Sequence, residues 1–269
     1  MVSPLILLRS TVFNIFFLLW CLIYFLAILP LVLASWKTMM KAGSLWARGT
    51  FFLLRIICGI KLEVRGRENL PKDGKSYLVA SKHESAAETI NLLMILETPC
   101  FVLKKELLKL PLFGWFLQCG KVIAIDRSAG AKALKMMVED AKDRMQTGRP
   151  IIIFPEGTRT AVGQRQDFQP GVAALATGTG LTTIPTALNS GLFWGKNAFV
   201  KRPGTMVVEF LPALPDGLRR KEYMPLLEET INTASDRLTE EALKADPGLI
   251  RVVEESRARG ASGSSGEAQ

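Results

Sequence analysis

A short apolar stretch, a turn and a second apolar stretch follow one another around Lys82-His83-Glu84-Ser85-Ala86-Ala87-Glu88-Thr89, which contains the only histidine of the 269-residue chain. Residues 76–80 before the turn are typical of a buried strand, and residues 90–96 after it are predicted to form a helix. His83 therefore lies where a strand turns into a helix, the place where functional side chains gather in open α/β sheets. If any imidazole of this chain acts as a base, it is His83.

Glu88 follows His83 by five residues, and two interpretations of this spacing are open. If His83 precedes the first helical turn, the loop can fold its ring back so that Glu88 accepts the Nδ1 proton and Nε2 takes a proton from an attacking hydroxyl. Ser85 and Glu88 also match the S-x-x-E capping box, in which the glutamate has a purely structural role. The two roles are compatible. Glu88→Gln separates them, because glutamine keeps the box and loses the charge.

The composition favours an anionic partner and disfavours several common sites. The formal net charge is +9 and the pI about 9.5, which suits phosphates, nucleotides or acidic lipid surfaces. Nucleic acid is disfavoured, because no zinc-finger, basic-zipper or RNP-like motif is present. With one histidine we expect no metal site. The cysteines lack C-x-x-C spacing and are predicted to be reduced, buried small hydrophobes: Cys21, Cys58, Cys100 and Cys119.

Residues 1–60 are predicted to form a membrane-associated segment of two helices. No charged residue occurs from Thr11 to Trp36, and about 20 apolar residues suffice to cross a bilayer core. A cleaved signal peptide is the competing interpretation, but its apolar region would be too long. Pro30 can kink or end the helix, so a span and a re-entrant insertion both stay open.

The second helix of this segment, at residues 44–60, carries a basic stripe. Lys41, Arg48 and Arg55 recur every seven residues and share one helical face, while apolar residues cover much of the rest. This pattern is typical of a helix that lies in the membrane interface with its basic stripe toward headgroup phosphates. An ordinary amphipathic helix packed on a core is the alternative.

Residues 61–247 alternate between predicted strands and helices, so the expected fold class is α/β, with a mixed, mostly parallel sheet flanked by helices. Strands are predicted at residues 60–65, 76–80, 101–103, 122–125, 150–154, 183–188 and 206–211. Helices are predicted at residues 90–96, 104–117, 131–145, 171–176 and 223–243. Residues 248–269 are predicted to add a short helix and, from Ser262, a disordered Gly- and Ser-rich tail.

Basic side chains follow three of the predicted strands. The turn Phe154-Pro155-Glu156-Gly157-Thr158-Arg159 places a guanidinium group at the carboxyl edge of the sheet, where its planar fork suits phosphate, and Gly157 lets backbone approach a ligand. Arg127 follows another strand, and Lys104 and Lys105 follow a third, near amides that a phosphate can meet. The alternatives are a surface turn with a local pair of Glu156 and Arg159, and a solvated basic face.

Together these blocks resemble the glycerolipid acyltransferase family, most closely its bacterial 1-acyl-sn-glycerol-3-phosphate acyltransferases. The resemblance runs from about Val64 to Leu211. His83 with Glu88 matches the family's H-x4-D motif, residues 104–127 match its second block, and residues 184–191 match its proline-containing fourth block. The F-P-E-G-T-R block at residues 154–159, at the correct distance and in the correct order, makes the match specific.

The sequence departs from the family pattern at two positions. Glu88 stands where aspartate is more usual, and its extra methylene requires a small shift of the turn or the ring. Gln169 occupies a place where the family often has lysine, so one cationic contact to the acceptor is expected to be absent, and Arg165 could compensate.

The resemblance implies an enzyme without a bound cofactor that moves a fatty acyl group from acyl-CoA or acyl carrier protein to the free sn-2 hydroxyl of 1-acyl-sn-glycerol 3-phosphate, giving phosphatidic acid. His83 would be the general base and Glu88 would hold its ring, while amides near Ser85 and Ala86 could stabilise the oxyanion. The acceptor's glycerol phosphate would be bound by Lys105, Arg127, Glu156, Gly157, Thr158 and Arg159. The soluble donor would place the domain on the cytoplasmic side of a membrane, expected to be a bacterial inner membrane.

Three rival interpretations follow from the same sequence. The nearest is the same reaction on another acceptor, such as glycerol 3-phosphate or a lyso-ornithine lipid. A non-catalytic membrane-bound scaffold would use the basic surface only to dock on anionic lipid. A thioesterase would use water in place of the lipid hydroxyl.

Overall fold

The computed structural model describes residues 2–96 and 98–264, with a seven-stranded sheet at its centre. The strands are β1 (Ile60–Arg65), β2 (Leu78–Ser81), β3 (Cys100–Lys104), β4 (Ile123–Ile125), β5 (Ile151–Ile153), β6 (Thr183–Leu188) and β7 (Gly204–Phe210). They lie side by side in the order β1-β7-β6-β2-β5-β3-β4. Every neighbouring pair is parallel except β6 with β7. The sheet is therefore mixed and mostly parallel, which confirms the fold class expected from the sequence.

This topology brings the carboxyl ends of five strands to one edge of the sheet. β2, β3, β4, β5 and β6 share one direction, whereas β7 and β1 run the opposite way. The segments that follow the five strands therefore lie beside one another. Each block that the sequence singled out for chemistry begins at one of these ends.

The helices agree with the sequence prediction except at residues 104–117 and at the second helix, which was predicted at residues 44–60 but begins already at Trp36. Those in the described residues are α1 (Pro4–Ala27), α2 (Trp36–Cys58), α3 (Ala87–Ile95), α4 (Phe113–Cys119), α5 (Gly130–Met145), α6 (Gly171–Thr179), α7 (Arg220–Ala245) and α8 (Ile250–Ser264). The single helix predicted at residues 104–117 is wrong, because Lys105–Lys109 form a 3-10 helix and α4 begins only at Phe113. Pro111 explains the break, since proline disfavours helical backbone at the preceding residue, and Leu110 is extended here.

Both faces of the sheet are covered, because strand side chains alternate between the faces. Val79 and Ile152 belong to a core cluster shared with α2 and α3. Leu78 and Ile151 belong to a second cluster, shared with α5, α6 and α7. All residues of β2 and β6 are buried, as expected for central strands that are covered on both faces.

The N-terminal helices pack on each other and share the core of the sheet. Phe13 of α1 and Leu54 of α2 lie in the same cluster as Val79. Gly49 of α2 faces the ring of Trp20, where an added methyl group would come within 2.4 Å of Cζ2, so a side chain at this position would force the two helices apart. Among the described residues, α1 is the one helix long and apolar enough to cross a membrane by length and composition.

Contacts near both ends attach α1 to the α/β domain. Near its start, Ser10 Oγ accepts a hydrogen bond from the amide of Lys201 (2.9 Å), and Lys201 Nζ donates to Asn14 Oδ1 (2.5 Å). Near its end, the ring of Phe25 packs edge-on against Phe116 of α4, with centroids 5.9 Å apart. The helix therefore lies along the domain over most of its length.

The C-terminal segment is more ordered than the sequence predicted. The expected short helix is present as α8, but it continues to Ser264, so residues 262–264 are helical and the prediction of disorder from Ser262 is wrong there. The rest of the predicted tail, residues 265–269, lies outside the described residues. Leu249 and Val253 belong to the core cluster of the sheet, which explains why this segment folds onto the domain.

The four cysteines are unpaired, as predicted. Cys58 and Cys100 are buried, whereas Cys21 and Cys119 are partly exposed, so the prediction of burial is correct for two of the four.

Candidate active site

The His83 ring and the Glu88 carboxylate meet across the turn between β2 and α3. Nδ1 of His83 lies 2.7 Å from Oε1 of Glu88, as the sequence predicted. The pair can form because α3 begins at Ala87, so His83 precedes the helix and the loop turns its ring back. The Glu88 side chain is fully buried and that of His83 is 14% exposed. Among the described residues none bonds to Nε2, which leaves this nitrogen for a ligand.

Glu88 also closes the start of α3, so the structural and the chemical interpretations of this residue coexist. Its Oε1 accepts a hydrogen bond from the amide of Ser85 (2.7 Å), and Ser85 Oγ accepts one from the amide of Ala87 (3.0 Å). The Ser85 amide is therefore occupied and does not serve an oxyanion, contrary to our expectation. The oxyanion role of the neighbouring Ala86 amide stays a prediction.

Glu156 lies beneath the turn and fixes its backbone. One oxygen accepts a hydrogen bond from the amide of His83 (2.8 Å), and the other accepts one from Lys82 Nζ (2.5 Å). Lys82 Nζ also donates to Asn232 of α7 (3.1 Å). Glu156 is fully buried, so it has no oxygen open to an acceptor, and our prediction that it contacts substrate gives way to a positioning role. The alternative pair with Arg159 is wrong as well.

Phe154 supports one face of the imidazole. The two rings are stacked with centroids 3.9 Å apart and planes inclined by 15°. Farther along the same loop, the amide of Thr160 donates to the carbonyl of His83 (2.7 Å). The loops after β2 and β5 therefore fix the orientation of His83 together.

Several basic side chains lie at the same edge of the sheet, where the sequence predicted a phosphate site. Gly157 has a φ of 72°, and a methyl group added there would come within 3.2 Å of the guanidinium of Arg127, so the two residues are adjacent. Nζ of Lys105 lies 3.7 Å from Oδ2 of Asp126, the residue that precedes Arg127 in the chain. Two further predicted residues belong to the same turn and are partly exposed: Thr158 and Arg159. Within the described residues, neither Arg127 nor Arg159 forms an ion pair, so both guanidinium groups are left for an anion.

The departure from the family pattern at Gln169 lies beside the same turn. Gln169 lies over Gly157, since its Cγ would be 3.1 Å from a methyl group added there. A lysine at position 169 would thus lie beside the guanidinium of Arg127. Arg165 forms an exposed ion pair with Asp236 of α7 (2.5 Å), and its compensation for the missing cation stays a prediction.

Comparisons with known proteins agree with this arrangement. The family model described as Acyltransferase matches residues 61–189. The 1-acyl-sn-glycerol-3-phosphate acyltransferase of Pseudomonas aeruginosa is 44% identical over 169 residues, 63% of this chain and 65% of that protein. Residues 61–189 of the chain are therefore similar to the acyltransferases of glycerolipid synthesis. The human 1-acyl-sn-glycerol-3-phosphate acyltransferase alpha is 27% identical over 211 residues, 78% of this chain and 74% of that protein.

A solved structure supports the acyltransferase fold. The crystal structure of the 1-acyl-sn-glycerophosphate acyltransferase PlsC from Thermotoga maritima superposes with a TM-score of 0.71. The match covers 86% of this chain and 97% of that chain, at 22% sequence identity. This similarity extends well beyond residues 61–189, so the segments that flank the acyltransferase family model share the architecture.

Three residues support the site although no role was predicted for them from the sequence: Lys82, Phe154 and Ser190. Lys82 precedes His83 and Phe154 opens the F-P-E-G-T-R block, and these positions were the available signal. Ser190 Oγ donates to Glu88 Oε2 (2.7 Å) across 102 residues of chain, and such a contact depends on the order of the strands. In the described part of the chain, no group of three or more His, Cys, Asp or Glu side chains is placed to hold a metal ion.

Glu84 is a further buried carboxyl group in the loop that carries His83. Its Oε2 accepts a hydrogen bond from the amide of Gly191 (2.9 Å). Burial raises the pKa of Glu84 to about 8, although the charge of Lys82 and the Gly191 amide act in the opposite direction. At neutral pH this loop therefore contains a carboxylic acid that keeps its proton.

We expect Glu84 to make the protein less stable as the pH rises. The folded chain keeps the Glu84 proton up to about pH 8, whereas the unfolded chain releases it near the ordinary pKa of 4.5, so the free energy of unfolding falls across this interval. Glu84→Gln removes the titrating group and keeps an acceptor for the Gly191 amide. The free energy of unfolding of this variant should therefore depend less on pH. Thermal unfolding midpoints measured between about pH 5 and 8 provide the test.

The exposed carboxylate of Glu106 supplies a matched control, because Glu106→Gln removes a charge outside the core. Equal slopes for wild type and Glu84→Gln would show that Glu84 is ionised in the folded protein.

Proposed function

We propose that this chain transfers a fatty acyl group from acyl-CoA or acyl carrier protein to the sn-2 hydroxyl of 1-acyl-sn-glycerol 3-phosphate, giving phosphatidic acid. One observation carries the proposal: the pair of His83 and Glu88, 2.7 Å apart, lies on the same sheet edge as the unpaired guanidinium groups of Arg127 and Arg159. A base beside an anion site suits an acceptor with both a hydroxyl and a phosphate. The names of the relatives support this choice, although the match spans 65% of the Pseudomonas protein.

The reaction follows from the open nitrogen of His83. Nε2 takes the proton of the acceptor hydroxyl as its oxygen attacks the thioester carbonyl, and Glu88 keeps the Nδ1 proton and steadies the imidazolium. The tetrahedral intermediate then collapses, the carbon–sulfur bond breaks, and the thiolate takes the proton from Nε2. An ester and a free thiol are formed, and His83 is neutral again.

The acceptor phosphate would lie between Arg127 and Arg159, above Gly157. Guanidinium groups bind phosphate with two parallel hydrogen bonds, and glycine lets the backbone approach the anion. Lys105 adds a charge at the rim, while Thr158 offers a hydroxyl from the same turn. Gln169 stands where the family often has lysine. Its side-chain amide, a neutral hydrogen-bond donor, therefore lies beside Arg127 in place of a further cation.

The membrane-facing surface would be formed by α1 and α2. α2 exposes one stripe that combines basic and apolar side chains: Lys41, Leu45, Arg48, Phe52, Arg55 and Ile56. Because α1 is attached to the domain near both ends, insertion of its exposed apolar face into one leaflet is favoured over a span. Burial is worth about 0.8 kcal/mol per methylene, so full extraction of a long acyl chain into water would cost on the order of ten kcal/mol. A site beside the bilayer avoids that cost.

His83→Ala should lower the rate of acyl transfer by about 10²- to 10⁴-fold, because the general base is lost. Thermal unfolding of this variant is measured alongside, because the ring also stacks on Phe154 and bonds to Glu88. Glu88→Gln should lose about tenfold or more, because the amide preserves the hydrogen bonds of the turn but not the charge that steadies the imidazolium. The assay offers lysophosphatidate and labelled acyl-CoA to the purified proteins. Full activity of His83→Ala would favour a scaffold, and release of fatty acid without a lipid product would indicate a thioesterase.

Arg127→Gln should raise the KM for lysophosphatidate about tenfold and leave kcat within about threefold, because it removes a charged hydrogen bond to the phosphate. Lys132→Gln, at an exposed lysine of α5, is the matched control and should change neither constant. A wild type that acylates a phosphate-free lysolipid and ignores lysophosphatidate would assign the chain to another acceptor.

Leu45→Asp with Phe52→Asp should weaken binding to anionic vesicles at least about tenfold, since two exposed apolar side chains leave the interface. The control is Met136→Asp, which changes an exposed apolar residue of α5 on the opposite face of the sheet. Vesicle sedimentation measures both variants. Equal losses in the double variant and the control, or no loss in either, would place the membrane surface elsewhere.

A further inference from the structure

Ser190 lies directly behind the Glu88 carboxylate. It follows β6, is 1% exposed, and its hydroxyl is 2.7 Å from Glu88 Oε2. Glu88 Oε1 faces the other way and lies 2.7 Å from Nδ1 of His83. The carboxylate is thus fixed on both sides, by the base in front and by a hydroxyl behind.

The next residue strengthens the same connection. The amide of Gly191 donates to Glu84 Oε2 (2.9 Å), so two successive residues after β6 hold the two carboxyl groups nearest to His83 in sequence. Gly191 has no room for a side chain, because a methyl group would come within 2.4 Å of Val162 and 2.9 Å of the Glu84 carboxyl. The turn after β6 is therefore closely fitted to the loop that carries the base.

We propose that Ser190 is a positioning residue for the acyl transfer: it fixes the plane of the Glu88 carboxylate so that Oε1 faces Nδ1. This inference rests on the proposed function. Its physical basis is the length of glutamate, whose additional rotatable bond gives the carboxylate more orientations than aspartate has. The hydrogen bond from Ser190 selects one of them.

The glutamate at position 88 gives the proposal a sharp test. An aspartate is shorter by one carbon–carbon bond, about 1.5 Å, whereas both carboxylate oxygens of Glu88 now stand 2.7 Å from their partners. In Glu88→Asp the carboxylate can stay in hydrogen-bonding range of His83 or of Ser190, but not of both. The contribution of Ser190 to catalysis should then depend on which acid occupies position 88.

The experiment is a double-mutant cycle on the full chain in detergent, with lysophosphatidate and acyl-CoA. Ser190→Ala should lower kcat about tenfold when Glu88 is present, with the KM for both substrates within about twofold. In the Glu88→Asp background the same change should lower kcat less than about twofold. Thermal unfolding of all four proteins is measured alongside.

Equal losses of kcat in the two backgrounds, or no loss in either, would overturn the proposal and leave Ser190 with a structural role. If Ser190→Ala does not fold, Ser190→Cys keeps the volume and weakens the donor, and the same cycle applies. The proposed function is tested separately by wild type and His83→Ala. An inactive wild type refutes the function, whereas an active wild type with an inactive His83→Ala and an unaffected Ser190→Ala refutes only this inference.

Discussion

The site depends on one buried ion pair, between Lys82 after β2 and Glu156 after β5. Their side chains are 5% and 0% exposed, and removing either partner would leave an unpaired charge in the interior, at a cost of about 3–5 kcal/mol. The second oxygen of Glu156 bonds to the amide of His83. The pair therefore joins the loop after β2 to the loop after β5 directly at His83. The other contacts of the imidazole ring depend on this connection.

The parallel sheet explains why residues far apart in sequence share this junction. The base follows β2, its stacking partner Phe154 follows β5, the guanidinium of Arg127 follows β4 and the hydroxyl of Ser190 follows β6. Two clefts among the described residues have volumes of about 290 and 330 Å³, and His83 lines neither of these two. Its side chain is 14% exposed at the edge of the sheet, where the proposed lipid acceptor can approach it.

The sequence revealed the parts of the site that depend on local spacing. The pair of His83 and Glu88 could be predicted because a turn before a helix brings the fifth residue back, and the strands could be predicted from their apolar runs. The partner of Glu156 could not be predicted, because nothing beside Glu156 in the sequence indicates Lys82, which lies 74 positions earlier. The role of Ser190 was hidden for the same reason. The helix break at Pro111 and the start of α2 after the N-cap Ser35 were readable locally and were missed.

The central claim is that the neutral His83 ring carries its proton on Nδ1, facing Glu88, and offers Nε2 as the base. Because His83 is the only histidine, an untagged protein labelled with ¹⁵N-histidine gives the signals of this ring alone. The nitrogen spectrum of the neutral ring should show a protonated Nδ1 and an unprotonated Nε2. A ring protonated on Nε2 would have no lone pair there for the acceptor hydroxyl, and would contradict the account.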